Sequence, residues 1–410
     1  MKGELQTNSD SVEKSNPETQ RETKKHERWY WLDWLRVLAM GTIFLYHCGR
    51  PFIHIEWHIM NPEPDMLFTL ANGFVTGWIM PLFFVISGIA TYFSLAKRSP
   101  KQFATSRLKR LMIPFIVGLF VVLPVHRYYS AVFKGYFSGS FVDYLFWEYF
   151  IGDFPFDINI SPTYFAGSNQ GTYLWYIFWL FIFSLLPVHF FKWLRKEENR
   201  SKISKLAAVC NRRGGVFLLA IPLIIVNVAA IPPYFVFPTG YGGWKLPPYL
   251  VFFILAYILA SNSQFLQSID KNKIPAFILG IFTSIIIIML FVMVGIEDIA
   301  IENFYLLISV IWAFNGWCWV VTILGFGRKL LNFNNRFLKT SNEFVLPFYI
   351  LHETVITAVA FYVVGLNLIV MGKYLIIILA SFAIISLLLA PIGQINQLRF
   401  LFGMKLKKKT

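Results

Sequence analysis

Residues 31–49 read "WLDWLRVLAMGTIFLYHCG", from Trp31 to Gly49. The stretch is apolar enough to cross a bilayer, yet it carries Asp33, Arg36 and His47. An Asp or Arg at the centre of a spanning helix costs about 2.5–3.5 kcal/mol. Positions 33, 36, 40, 43 and 47 advance by alternating steps of three and four, so they form one stripe on a helix. Arg36 and His47 fall within about 20° of the same face and roughly 16 Å apart along the axis. Ionisable residues within a span face the bundle interior or a watery cavity. Asp33 and Arg36, at i,i+3, read as a local neutralising pair.

The rest of the chain supports the membrane reading. Of its 410 residues 56% are hydrophobic, 18% aromatic and only 14% charged, against about 25% charged in soluble domains. Ten apolar stretches are long enough to approach a crossing, near 30–49, 68–95, 106–128, 172–193, 215–232, 247–262, 275–295, 303–326, 342–365 and 373–392. The expected fold is an all-α polytopic bundle of about ten transmembrane helices. Residues 1–28 form a polar tail of disordered composition without the apolar region of a signal peptide. The membrane domain is expected over 29–400, with a short basic tail over 401–410. Cys48, Cys210 and Cys318 are scattered, which argues against a disulfide framework or a structural zinc site.

The net charge of +15 invites a nucleic-acid reading, but its distribution points to topology. Alternate loops starting from the N-terminal tail hold 31 of the 37 Lys and Arg residues, and the opposite loops hold five. Basic residues collect in cytoplasmic loops. Both termini are therefore expected in the cytoplasm, with the bilayer rather than nucleic acid as the partner. The outer loops carry carboxylates, among them Glu56, Asp143, Asp153, Asp157, Asp298 and Glu302, and 129–171 is rich in aromatics such as Tyr136, Trp147 and Tyr164. That mixture suits a carbohydrate, although an interfacial aromatic belt is the simpler account.

Further candidates lie along the chain. Ser99-Pro100-Lys101-Gln102 has the pattern of a helix start with a capping box. The helix it begins carries Arg107, Lys109 and Arg110, and two arginines at i,i+3 offer paired guanidinium forks for phosphate groups. His352 and Glu353, in "LPFYILHETVI", sit near mid-bilayer, where ionisable groups are functional by default. Neighbours on a helix diverge by about 100°, so at least one should meet another helix, with His352 the better candidate. "HIEWH" (His54 to His58) offers metal-ligand types, but no further ligand lies nearby in the sequence and no metal site is expected. His126 ends the third stretch without a defining context.

Together these motifs resemble the acyltransferase 3 family of integral membrane enzymes. Arg36 and His47 match its Arg-x10-His pattern, "PLFFVISGIA" (Pro81 to Ala90) its FFxxSG stretch, and Arg107 to Arg110 its Arg-x-x-Arg. "YLWYIFWLFIFSL" (Tyr173 to Leu185) is similar to its fourth span and "PFYILH" (Pro347 to His352) to its late YxxH stretch. The layout is most similar to the branch containing the succinyltransferase of periplasmic glucans. Many relatives have His where this chain has Tyr173, so a role for that histidine does not carry over.

The resemblance implies O-acyl transfer, acetyl or succinyl, from cytoplasmic acyl-CoA to a hydroxyl of an extracytoplasmic glycan, in the cell membrane. Acyl-CoA enters as co-substrate, with no tightly bound cofactor. Arg107, Lys109 and Arg110 are expected to hold CoA phosphates and Arg36 to steady the donor. His47 is expected to act as general base or acyl carrier, and His352 to orient it or support the oxyanion. No esterase-like domain is appended, so transfer falls to this domain or a partner. The rival reading is a transporter using intramembrane Asp, Arg and His as a relay.

Overall fold

The computed structural model describes residues 28–152, 173–229, 242–297 and 305–407. Asp153, Asp157, Tyr164, Asp298, Glu302 and nearly all of the N-terminal tail lie outside them. Among the described residues the secondary structure is entirely helical. Besides a single turn at Arg50–Phe52 and a helical segment made of Phe141–Asp143 and Tyr144–Gly152, the helices are α1 (Tyr30–Gly49), α2 (Met66–Ala96), α3 (Pro100–Phe133), α4 (Trp175–Leu194), α5 (Glu197–Cys210), α6 (Gly215–Ala229), α7 (Leu246–Ser261), α8 (Ser263–Glu297), α9 (Tyr305–Leu330), α10 (Arg336–Val363), α11 (Val370–Gln394) and α12 (Asn396–Leu401).

Over its described residues, each of the ten apolar stretches coincides with a helix. Six helices (α2, α3, α8, α9, α10 and α11) are long and apolar enough to cross a membrane, and α4, bent by 47° between Leu185 and Val188, makes a seventh if taken as one span. The helices α6 and α7 are apolar but shorter. Although α1 is 20 residues long, it is not among the six, because its ionisable groups dilute its hydropathy. It is a polytopic membrane protein whose least apolar candidate span lies inside the bundle, against α2, α9, α10 and α11.

The 33-36-40-43-47 stripe turns inward: Met40 and Ile43 are buried and the three ionisable residues are half-buried. Leu38, Gly41 and Leu45, on the opposite edge, are exposed. Lipid-facing area is greatest on α8 and α11, which bury only 17% and 22% of their apolar windows. At the crossing of α2 and α7 a Cβ on Gly88 would lie 2.3 Å from the Phe253 carbonyl oxygen and 2.8 Å from Ala256 Cβ. Only glycine permits that approach.

The start of α3 has the expected capping box. Gln102 N–H donates to Ser99 Oγ (3.3 Å) and Ser99 N–H donates to Gln102 Oε1 (3.1 Å). Further along, α3 widens into π-turns at Leu108–Met112 and Gly118–Val122. Pro114 and Pro124 lack the N–H that an α-ladder would use, which favours such rearrangements. A π-turn winds less per residue than an α-turn, so side chains three apart across it no longer share a face.

The loop between α1 and α2 folds back into the bundle. Phe52, Ile53 and Ile59 are almost fully buried. The Lys373 ammonium donates to Asn61 Oδ1 (2.8 Å) and the Val364 carbonyl (2.7 Å), and Asp65 Oδ1 caps α2 by accepting from the Leu67 and Phe68 N–H groups. An apolar anchor and a buried cation thus hold a loop against the ends of α10 and α11.

Candidate active site

Glu353 is the centre of the site. It is 3% exposed, and its two oxygens face different partners. Oε2 lies 3.5 Å from Nε2 of His47 on α1. Oε1 lies 3.9 Å from Nε2 of His58 in the α1–α2 loop and 3.8 Å from Nε2 of His126 on α3. His352 packs its ring 5.1 Å from that of His47, and the His58 and His126 rings are 4.2 Å apart. Four imidazoles from four segments therefore surround one carboxylate.

Hydrogen bonds orient part of this cluster. His352 Nδ1 is 2.6 Å from the Tyr349 carbonyl, to which it donates. The Tyr173 hydroxyl lies 2.6 Å from the Ile350 carbonyl and 2.9 Å from Thr354 Oγ1, and the Tyr349 hydroxyl donates to the Tyr173 carbonyl (2.6 Å). These bonds tie the start of α4 to α10. Among the described residues, His47 Nδ1, both nitrogens of His126, His352 Nε2 and Glu353 Oε2 have no hydrogen-bond partner. Buried polar groups left this way are costly, and their convergence marks a site for a bound group.

The cluster borders a cavity of about 350 Å³ lined by His47, His58, His352 and Glu353, with Tyr173, Trp175 and Tyr349 among its aromatic walls. Lys134 and Glu56 also line it and form a 2.6 Å ion pair. The Lys134 ammonium, through hydrogen bond and charge, holds the Glu56 carboxyl below its ordinary value. Burial, reinforced by Lys134, Arg50 and Arg127, holds the His58 imidazole down at about 3.

The expected site residues divide. His47 and His352 meet, and with Glu353 they border one cavity, although neighbours at 100° were expected to diverge. The cavity is wide enough to reach both faces of α10. Glu353, ranked below His352, makes the contacts that join the helices. Arg36 does not line this cavity; its Nη1 donates to Asn342 Oδ1 (3.0 Å) and is 3.4 Å from Asp33 Oδ1. Asp33 also accepts from Asn342 on α10 (3.1 Å) and pairs with Arg28 (2.7 Å), so the pair read from the sequence is one part of a network that reaches another helix.

Arg107 and Arg110 part company. Arg107 is half-buried, donates to Thr91 Oγ1 (2.9 Å) and lies over the Phe103 ring. Lys109 and Arg110 are exposed and line a surface depression shared with Lys101, Gln102 and Gly403. The π-turn beginning at Leu108 lies between the two arginines, whose immediate surroundings differ: Thr91 and Phe103 for Arg107, the surface depression for Arg110.

"HIEWH" is not helical. His54 Nδ1 pairs with Thr69 Oγ1 (2.8 Å), whereas His58 goes to Glu353. His58 and His126 were individually legible as unassigned histidines, but nothing in their spacing joins them. The outer aromatics Tyr128, Phe137, Phe141 and Tyr144 largely stack edge-to-face on one another. Tyr136 and Trp147 remain exposed.

A histidine–carboxylate pair thus borders a cavity inside an apolar helical bundle. Residues 29–390 match the family described as acyltransferase domain, and the chain belongs to that family, acyltransferase 3. The chain is also similar to glucans biosynthesis protein C of Escherichia coli strains SMS-3-5 / SECEC, O1:K1 / APEC and O139:H28 (E24377A / ETEC). Each is 25% identical over 187 residues, covering 44% of this chain and 43% of the relative. The similarity thus spans less than half the length of those relatives. No solved structure matches the chain.

Proposed function

We propose that the protein is an inner-membrane O-acyltransferase that moves an acetyl or succinyl group from cytoplasmic acyl-CoA to a hydroxyl of an extracytoplasmic glucan-type glycan. The observation that carries the reading is the His47–Glu353 pair in the cavity. With Nε2 turned to the carboxylate, Nδ1 is the basic nitrogen. It takes the acceptor's hydroxyl proton as the oxygen attacks the thioester carbonyl. The C–S bond then breaks and the CoA sulfur leaves, receiving the proton from His47. Glu353 holds the ring and supports the imidazolium. The 3.5 Å separation is longer than a formed hydrogen bond, as catalytic contacts often are before substrate binds.

Ten crossings with both termini in the cytoplasm accommodate this route. The loop asymmetry in Lys and Arg supports that topology, and it puts Lys109 and Arg110 on the donor side and the Glu56–Lys134 mouth on the acceptor side. Lys109 and Arg110 then receive CoA phosphates in their depression. Arg36, in the first half of α1 and outside the cavity lining, is assigned the role of steadying the donor on its way in. The family match and the glucan-related relatives support acyl transfer to a glycan.

The test is to incubate membranes with labelled acetyl- or succinyl-CoA and glucan oligosaccharides and read the label on glycan. The expected result is labelled glycan from wild-type membranes and none from His47→Ala. Native-rate labelling by His47→Ala, or glycan movement across the membrane with no acyl label, overturns the reading.

A further inference from the structure

The transfer chemistry above uses the His47 side of Glu353 and leaves His58 and His126 without a task. We propose that His58, His126 and Glu353 Oε1 bind one divalent transition-metal ion of the zinc type, with a fourth position open for an oxygen ligand. One donor atom from each of the three lies within 4.8 Å of the others, and Glu353 Oε1 is 3.8–3.9 Å from both imidazole Nε2 atoms. Bonds of about 2.0–2.2 Å in a tetrahedral site separate neighbouring donors by about 3.4 Å. The two carboxylate–imidazole separations therefore reach bonding geometry with a contraction of a few tenths of an ångström.

Three features favour an ion over a purely structural cluster. His126 is 2% exposed with neither ring nitrogen hydrogen-bonded among the described residues, so an ion on Nε2 would relieve an orphaned buried group. The other His58 nitrogen, Nδ1, lies 3.4 Å from Ser130 Oγ, the kind of outer contact that orients a ligating imidazole. Two imidazoles and one carboxylate with an open position are the donor set of catalytic zinc sites. His47, His352 and Glu353 form a second cluster of ligand types, but there Glu353 already pairs with His47, the proposed base.

The metal site stands apart from the transfer reading, and its use in catalysis rests on that reading. An ion there lies across one carboxylate from His47, where it would bind the acceptor oxygen and ease its deprotonation.

The test uses full-length protein purified in detergent with a tag that contains no histidine, stripped with EDTA and titrated with Zn2+. The expected outcome is one tightly held zinc per chain. His58→Ala and His126→Gln should each weaken binding by about 10–100-fold or more, while the surface variant Tyr136→Ala binds as wild type. Replacing Zn2+ by Co2+ should produce visible bands of tetrahedral cobalt that His58→Ala, changed in a loop, abolishes while eluting as a folded monodisperse species. Wild type holding no more zinc than the His58/His126 double variant overturns the site. Loss of zinc in His47→Ala also overturns it, by putting the ion in the other cluster. Zinc binding that survives in a protein with no acyl-transfer activity supports the metal site and sinks the proposed function.

Discussion

Glu353 on α10 faces His47 on α1 at 3.5 Å, joining helices from opposite ends of the chain around one buried carboxylate. Glu353→Gln keeps the shape and removes the charge that holds the imidazole. We expect kcat for acyl transfer to fall by about 10²-fold or more, with KM for the donor unchanged. Steady-state kinetics on purified enzyme with labelled acyl-CoA checks this, and an unchanged kcat would remove Glu353 from the mechanism.

The divergence of Arg107 and Arg110 separates two phenotypes that a shared fork would merge. Arg110→Ala and Lys109→Ala should raise KM for acyl-CoA with little change in melting temperature. Arg107→Ala removes a half-buried group bonded to Thr91 and should lower stability by about 1–3 kcal/mol. Thermal melts run beside donor titrations decide between them. Equal KM effects with equal stability would restore a common phosphate site.

Asp33 offers a control within the opening stripe. It shares a half-exposed network with Arg28, Arg36 and Asn342, and networks of that exposure contribute modestly. Asp33→Asn should cost about 1 kcal/mol or less and leave kcat within a few-fold of wild type. A catalytic collapse in the transfer assay would show that Asp33 does more than neutralise the helix start.

Packing at Gly88 sets a stability test away from the chemistry. Gly88→Ala drives a Cβ into the Phe253 carbonyl and should destabilise by about 1–3 kcal/mol. At Gly41, where an added Cβ meets nothing within 4 Å, alanine should be neutral or gain up to about 1 kcal/mol from helix propensity. Denaturation followed by circular dichroism in detergent measures both. Equal stability of the two variants would mean that the α2–α7 approach relaxes freely.

Helix positions were legible because each apolar stretch and its caps are local properties: Ser99 and Gln102 are three residues apart and need no distant partner. The inward stripe of α1 was legible for the same reason, since a 3-4-3-4 spacing is one helix face whatever surrounds it. Periodicity failed where the helix itself departs from α. A π-turn follows Arg107, and prolines at 114 and 124 mark the region without stating its winding.

The sequence by itself determined an apolar all-helical chain, the stripe bearing Arg36 and His47, and His352–Glu353 as mid-helix groups needing partners. Only the tertiary structure decided that Glu353 gathers His47, His58 and His126, and that Tyr173 ties α4 to α10. A residue's periodicity gives its direction from its own axis, while its neighbour depends on which helix packs there and where a loop folds back. Burying Phe52, Ile53 and Ile59 brings His58 inward, and that packing energy is shared by the whole bundle rather than encoded in any short motif.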